Sequence, residues 1–188
     1  MEKLVLVKPN LSYKEAALEY IQEFYDYNSM VNGTGGLDRY LNDYEGWLQK
    51  LANDEVQEPT DKRVPALTHF LVRESDNRIV GMHNIRLATN DLVKDKFGHI
   101  GYSIRPTERQ KGYNKINLYL ALEVCQKYNL DEVIMYCYKD NLGSKKTILA
   151  LGGKLVREFI LEDEDKEEQE YIIDVNNSLE NNKDLLLK

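Results

Sequence analysis

The chain has 188 residues, of which 42% are hydrophobic, and 32 acidic against 25 basic residues give it a formal net charge of −7. This length suits one ordinary domain, and the negative charge with no segregated basic patch argues against nucleic-acid binding. No apolar run approaches the roughly 20 residues of a membrane-spanning helix, and no signal peptide follows Met1, so we expect a cytoplasmic protein that does not bind membranes.

The chain begins with a predicted strand and a predicted helix. Leu4 to Val7 form the strand, and Ser12 with Glu15 makes a capping-box pattern, so a helix is predicted from near Tyr13. Its apolar positions follow the 3.6-residue period. They are Ala17, Tyr20, Ile21, Phe24 and Tyr27.

A glycine-rich break at residues 32 to 36 separates this helix from a second one. The second helix is predicted from the most regular apolar stripe of the chain. The stripe comprises Leu37, Tyr40, Leu41, Tyr44, Trp47, Leu48 and Leu51. Residues 53 to 65 are polar and carry two prolines, which predicts a loop.

Three strands are predicted next, at residues 67–73, 79–87 and 98–104, the first two forming a hairpin. Helical spacing returns at Ile116 and ends at Asn129, which is typical of a left-handed helix stop. Val133 to Tyr138 predicts a strand, and a short helix must stop at Gly152-Gly153. Because Cys125 and Cys137 lie inside these elements, we expect both to be buried apolar residues.

A last hairpin is predicted from residues 154–161 and 171–175. Its turn, residues 162 to 170, holds seven acidic residues, which we interpret as a solvated loop, with capture of a cationic partner as the alternative. The domain is expected to span residues 1–175. The tail from 176 to 188 is predicted to be frayed, although the leucines at 185–187 could dock on the body.

The most informative segment is the loop between the strand at 98–104 and the following helix. It contains Arg109, Gln110, Lys111, Gly112, Tyr113, Asn114 and Lys115. Free backbone N–H groups and the helix dipole make such a strand–loop–helix junction a cradle for phosphate. Gly112 permits close approach of the backbone, and Lys111 and Lys115 add positive charge.

The order of elements and this loop resemble the GNAT superfamily of N-acetyltransferases. The family's loop has the form Q/R-x-x-G-x-G/A, which residues 109–114 follow except at Asn114, and HIGYSIRP and CYKDNLGS look like one bacterial branch of it. The resemblance covers essentially the whole chain. It implies an α/β GNAT fold with a mixed central β-sheet of about six to seven strands flanked by about four helices.

The resemblance further implies that acetyl-CoA is the co-substrate and that no metal is needed. The pyrophosphate would lie on residues 109 to 115, and the pantetheine arm would run along Tyr102, Ser103 and Ile104. Asn141 and Ser144 would also contact the cofactor. The family's usual catalytic Tyr falls at Ile148, which has no proton to donate.

Two candidate catalytic residues follow. His99 opens the strand beside the cofactor gap and could act as a general base, with a structural histidine as the alternative. Tyr138, which shares a strand face with Tyr136, could supply a hydroxyl, and packing in the core is the alternative. Direct proton transfer from the attacking amine would need neither.

The acceptor amine is expected near the first two helices. Asn84 and Arg86 alternate with His83 and Ile85, so one pair could line the acceptor site. Tyr27 and Trp47 suit an amine through cation–π contacts, and ordinary helix packing is the alternative. We therefore expect an N-acetyltransferase acting on a primary amine of a small molecule or peptide, in a chain that the resemblance suggests is a homodimer.

Two other functions stay open at this point. One is a non-catalytic acyl-CoA-binding module that senses the ligand or docks a partner. The other is transfer of a longer acyl chain, or transfer to a hydroxyl, because the loop contacts only the CoA end of the donor.

Overall fold

The computed structural model describes residues 2–161 and 165–186. Within them the chain forms seven β-strands, which are β1 Leu4–Val7, β2 Ala66–Arg73, β3 Arg78–Arg86, β4 Ile100–Ile104, β5 Glu132–Tyr138, β6 Lys154–Leu161 and β7 Lys166–Asp174. The α-helices are α1 Lys14–Asp26, α2 Tyr44–Val56, α3 Tyr113–Lys127, α4 Leu142–Ala150 and α5 Val175–Asn182. No helix of the described part is both long and apolar enough to cross a membrane.

The strands form two antiparallel sheets. One has the order β1-β2-β3-β4, and the other has the order β5-β7-β6. β4 and β5 adjoin each other without a shared ladder, and one backbone bond, from His99 N–H to the Ile134 carbonyl at 2.8 Å, links them at the start of β4. Beyond that bond the two strands are free to line a cleft.

Helices cover both faces of the first sheet. Tyr20, Phe24 and Trp47 from α1 and α2 pack with Phe70 and Met82 on one face. On the other side, α3 buries Leu118, Leu122 and Cys125 against β5 residues such as Val133. Each fully buried side chain of this size contributes about 1.5–3 kcal/mol to stability, so these two layers hold β4 and β5 in place. Both cysteines are buried and free, as predicted.

The first helix begins at Lys14, one residue after the predicted start near Tyr13, but the residue that caps this region differs from the prediction. Asn10, rather than Ser12, caps the 3₁₀ turn at residues 11–13 that precedes this helix, because its side chain accepts the Ser12 N–H at 3.0 Å. Tyr27 lies just past the end of α1 and is 58% exposed, so the predicted apolar stripe ends at Phe24.

The second predicted helix is divided in two. Residues 37–39 form a 3₁₀ turn, and α2 starts only at Tyr44, where the Asp43 side chain accepts the Gly46 N–H at 2.9 Å. The apolar stripe continues across the break because the turn presents Leu37 to the same cluster as Trp47. α2 then extends to Val56, four residues into the predicted loop.

The C-terminal region is more ordered than predicted. β7 starts at Lys166, so three acidic residues of the predicted turn lie in a strand, where Glu167 pairs with Lys139 at 3.1 Å and Glu170 with Arg157 at 2.5 Å. Residues 162–164 of that turn lie outside the described residues. The tail predicted to be frayed forms α5, which buries Val175 and Leu179 beside α3. Leu185 contacts the core, whereas Leu187 lies outside the described residues.

Candidate active site

A cleft of about 1230 Å³ opens between the ends of β4 and β5. Its walls come from the segment between α1 and α2, from β3, and from the residues that precede β4. Gly101 and Tyr102 of β4 line it on one side, and Tyr136 and Tyr138 of β5 line it on the other. The cleft therefore lies where the two sheets separate.

The glycine-rich segment touches the backbone of β4. Gly33 has φ +68°, and a Cβ there would lie 2.5 Å from the Gly101 carbonyl oxygen and 2.6 Å from the Tyr102 nitrogen. The Ser103 hydroxyl donates to the Asn32 carbonyl at 2.5 Å and fixes the same segment. Only glycine permits this approach, so this contact sets the shape of the cleft wall.

Trp47, predicted as an acceptor contact, is instead part of the core. Its side chain is fully buried and stacks on Phe70 with ring centroids 6.0 Å apart. Its indole N–H donates to the Gly35 carbonyl at 3.3 Å. Trp47 therefore supports the cleft wall from behind. Tyr27 is not among the residues that line the cleft.

The loop at residues 109–115, which we call the anion loop, has the backbone geometry of a phosphate cradle. Gln110 and Gly112 are both left-handed, with φ +62° and +81°. Among the described residues, none accepts a hydrogen bond from the backbone N–H groups of residues 110 to 114. No atom lies within 4 Å of a Cβ position at Gly112, so the cradle is open. Five free donors at the start of α3 suit a phosphate or pyrophosphate.

Side chains around the loop hold it against the body of the protein. The Arg109 guanidinium donates to the Ile104 carbonyl at 3.1 Å and to the Ser29 hydroxyl at 2.6 Å. Lys111 donates to Glu108 at 2.7 Å. Burial opposes ionisation of Glu108, but hydrogen bonds from Lys111 and Arg73 outweigh it and lower the pKa of this carboxyl. Arg109 and Lys111 thus brace the loop as well as adding positive charge to it.

The predicted cofactor residues outside the loop lie between β4, α3 and α4. The Tyr102 hydroxyl is 2.8 Å from the Ser144 hydroxyl, and Asn141 caps α4 by accepting the Ser144 N–H at 3.1 Å. Asn114 turns its amide away from the loop and donates to Thr147 at 3.2 Å. Burial raises the pKa of Tyr102, so its hydroxyl stays protonated. Ser103 is buried, its hydroxyl faces Tyr20 of α1, and it is not among the residues that line the cleft.

His99 has the contacts of a structural residue. Its Nδ1 accepts the Ile134 N–H at 2.9 Å, and its Nε2 lies 2.9 Å from the Thr89 hydroxyl. Burial, together with the nearby charge of Arg86, lowers the pKa of His99 to about 4, so the ring is neutral at pH 7. Because Nδ1 already accepts a bond, Nε2 carries the proton, and neither nitrogen can take one from an amine. This geometry favours the structural alternative for His99.

Tyr138 and Tyr136 differ in their surroundings. Tyr138 is half-buried at the cleft, with the Lys166 ammonium 4.6 Å from its ring centroid. The Tyr136 hydroxyl is bound to the Lys94 carbonyl and lies 3.0 Å from Glu170. Ile148 is fully buried in the core, so α4 presents no hydroxyl at that position.

Asn84 and Arg86 both line the cleft, whereas His83 and Ile85 are buried on the opposite face, as the strand alternation predicts. No sequence pattern indicated three further cleft residues, Lys62, Arg63 and Lys96, because a loop before β2 and a helical turn before β4 bring them there. Within residues 2–161 and 165–186 no group of His, Cys, Asp or Glu side chains could hold a metal ion.

The chain is similar to known acetyltransferases. Residues 4–154 match the family model described as acetyltransferase (GNAT) domain. No curated protein sequence matches the chain significantly.

Solved structures of low identity share the fold. Microcin C7 self-immunity acetyltransferase MccE, determined with acetyl-CoA and AMP, is 17% identical, with a TM-score of 0.64 and 92% coverage of both chains. Ribosomal-protein-S5-alanine acetyltransferase from Vibrio fischeri is 17% identical, with a TM-score of 0.66 over 91% of this chain and 92% of the other. RimJ from Mycobacterium smegmatis, with CoA-disulfide, is 12% identical, with a TM-score of 0.68 over 95% of this chain and 88% of the other. The predicted α/β fold is thereby confirmed.

Proposed function

This chain belongs to the GNAT acetyltransferase family, and from that premise we propose that it transfers the acetyl group of acetyl-CoA to a primary amine of a small molecule or peptide. The observation that carries the proposal is the open cradle of five free N–H groups at residues 110–114, at the start of α3. A pyrophosphate would satisfy these donors and interact with the positive end of the helix dipole.

Acetyl-CoA would supply an activated acyl group, and the chain's own residues would hold it. Residues 109–115 are proposed to bind its phosphates. The edge of β4 that faces β5, near Tyr102 and Ile104, is proposed to bind the arm through backbone groups, with Asn141 and Ser144 at the start of α4. A backbone N–H at this edge can stabilise the oxyanion that forms when an amine attacks, and one such donor is worth roughly 3 kcal/mol.

The proton steps have fewer candidates than the sequence suggested. His99 has both ring nitrogens engaged inside the protein, and position 148 is an aliphatic residue in the core. We therefore propose that, as the acetyl carbon bonds to the amine and its bond to sulfur breaks, the Tyr138 hydroxyl protonates the departing thiolate of CoA and then takes up the proton that the amine loses. The second candidate is transfer of the proton directly from the attacking amine, which Ile148 favours because the family's usual hydroxyl is absent there.

The direct test measures release of free thiol from acetyl-CoA over a panel of amines. A saturable rate that depends on the amine, with acetylated product identified by mass spectrometry, would support the proposal. Binding of acetyl-CoA without turnover of any amine would instead support a sensor or docking module. Mass spectrometry would also reveal a hydroxyl acceptor, and a donor series of increasing chain length would define the acyl preference.

We further propose that the protein works in the cytoplasm and that residues 1–175, extended by α5, form one catalytic unit. α5 belongs to this unit because its apolar face is buried against the same core as α3.

A further inference from the structure

The cleft carries a charge opposite to that of the whole chain. Six cationic and three acidic side chains line it, a formal excess of three positive charges, whereas the chain as a whole has a net charge of −7. The cations are Arg39, Lys50, Lys62, Arg63, Arg86 and Lys96, and the acids are Asp38, Asp54 and Glu168. The anion loop at residues 109–115 is not part of this lining, so the excess is separate from the proposed phosphate cradle.

The acids of the cleft are already engaged. Asp54 is paired with Lys50, Asp38 accepts the Thr34 hydroxyl at 3.3 Å and lies 4.0 Å from Arg39, and Glu168 also has a partner within the protein. In contrast, four lining cations form no ion pair with any described residue. They are Lys62, Arg63, Arg86 and Lys96. The charge that the cleft offers to a ligand is therefore positive.

Arg86 is the most constrained of these cations. Its side chain is half-buried, its Nη1 donates to the carbonyls of Phe97 and Gly98 at 3.4 and 3.2 Å, and its guanidinium lies 5.3 Å from the Phe97 ring centroid. Burial lowers the pKa of this guanidinium, with no carboxylate to offset the effect. A partly buried charge without a counter-ion is unfavourable, and a ligand anion would relieve it. The Nε and Nη2 donors have no acceptor among the described residues, and a guanidinium fork matches a carboxylate or phosphate.

Asn84 places an acceptor beside this cation. Its Nδ2 donates to the Leu67 carbonyl at 3.3 Å and to the Thr68 hydroxyl at 3.0 Å, which fixes the orientation of the amide. Asn84 lines the cleft, and its Oδ1 accepts no hydrogen bond from the described residues. The two residues share a strand face about 7 Å apart. One can therefore accept an amine N–H while the other binds an anionic group of the same molecule.

We propose that the acceptor is an amine that also carries a carboxylate or phosphate group, which Arg86 binds with support from Lys62, Arg63 and Lys96. Purely cationic amines are disfavoured by the same charges. This inference rests on the proposed acetyl transfer, because it identifies the class of acceptor for that reaction.

The test compares matched amines that differ only in the anion. Phosphoethanolamine against ethanolamine reports on phosphate, and β-alanine against its amide reports on carboxylate. For at least one pair we expect the anionic member to have a kcat/KM at least tenfold higher. Arg86→Gln should remove that preference, and Arg86→Lys should retain part of it. The control is Lys94→Gln. Lys94 is an exposed cation on the helical turn that also carries Lys96, but it does not line the cleft, so this variant should change the preference less than twofold.

Equal rates within both pairs, or a preference that survives in Arg86→Gln, would overturn the inference while leaving acetyl transfer intact. If no amine of any charge consumes acetyl-CoA, the proposed function itself fails, and the inference falls with it. Which pair shows the preference decides between a phosphate and a carboxylate.

Discussion

A Cβ atom on Gly33 would lie 2.5 Å from the carbonyl oxygen of Gly101, so the backbone of the α1–α2 segment is in direct contact with β4. Gly36, three residues later, shares the left-handed backbone with φ +86°, but the nearest atom to its Cβ position is 4.0 Å away. Alanine at position 36 would therefore introduce backbone strain alone, whereas alanine at position 33 would introduce both strain and steric overlap.

We predict that Gly33→Ala is much more harmful than Gly36→Ala. Both variants place alanine in a left-handed conformation, which costs roughly 1–2 kcal/mol. Only Gly33→Ala must also push the segment away from β4, so we expect a total loss of about 3 kcal/mol or more and a large fall in kcat/KM. Urea unfolding and steady-state kinetics on both variants measure this. Equal losses would show that the contact with Gly101 does not shape the cleft.

The anion loop gives a second matched pair. Gly112 and Gly152 have almost the same backbone conformation, φ +81° and +82°, and both have open space at the Cβ position. Gly112→Asp should weaken acetyl-CoA binding more than 30-fold, because a like charge beside phosphate costs roughly 2 kcal/mol or more. Gly152→Asp introduces the same strain and charge away from the loop and should leave affinity within about twofold. Calorimetric titration with acetyl-CoA would decide, and similar affinities in both variants would discredit the assignment of the loop.

Much of this architecture could be predicted from local patterns. The strand at 98–104, the loop and the α3 helix are encoded by contiguous residues, and Asn129 ends α3 with φ +59°, as expected. The start of the second helix is predicted too early, at Leu37 instead of Tyr44, because the apolar period persists across the 3₁₀ turn that precedes α2. The capping residue Asp43 was a usable signal for the true start. α5 was missed for a related reason, since Val175, Ser178 and Leu179 make too short a stripe to stand out.

The site depends on contacts between residues far apart in the chain, which no local pattern predicts. The proximity of Lys62 and Lys96 at one cleft, or the contact of Gly33 with β4, follows only once strand order and register are set. The role of His99 depends on the same information. Its position in the sequence suggested a base, whereas its partners, Thr89 and Ile134, come from a loop and another sheet.

His99 should therefore affect stability more than the chemistry. His99→Ala removes the acceptor for the Ile134 N–H and leaves that donor buried, so we expect a loss of about 2–4 kcal/mol in unfolding free energy. The pH dependence of kcat/KM for the folded variant should retain its shape. Disappearance of one limb of that pH–rate profile, with stability unchanged, would make His99 the general base.

Tyr138 is expected to act in the reaction itself. Tyr138→Phe should lower kcat at least tenfold while leaving acetyl-CoA affinity within about twofold, because only the hydroxyl at the cleft is lost. Tyr136→Phe is the control, since its hydroxyl is already bound to the Lys94 carbonyl, and it should lose stability rather than kcat. If kcat is unchanged in Tyr138→Phe, direct proton transfer from the amine becomes the supported mechanism.

The three histidines should make the fold sensitive to mild acid. His69 and His83 form a buried chain in which His69 Nδ1 lies 3.1 Å from His83 Nε2, and His83 Nδ1 donates to the side-chain Oδ1 of Asn117 at 2.9 Å. Burial lowers the pKa of His69 to about 4, that of His83 to about 3 and that of His99 to about 4. In the unfolded chain the same groups titrate near 6.5.

Because the folded pKa values are depressed, the unfolded state binds more protons below pH 6.5. Stability is then fully present above that pH and is lost as the pH falls toward 4. At pH 5 the loss is about 2 kcal/mol for His99 alone. Unfolding free energies measured between pH 7.5 and pH 5, above the usual range of carboxyl titration, should be constant near pH 7.5 and decline below about pH 6.5. His83→Gln should flatten this decline because glutamine keeps a polar partner for Asn117 but does not titrate. A profile that is flat from pH 7.5 to 5 would mean that the histidines take up protons as readily in the folded protein as in the unfolded chain, and the buried chain from His69 to Asn117 would then need a different hydrogen-bond arrangement.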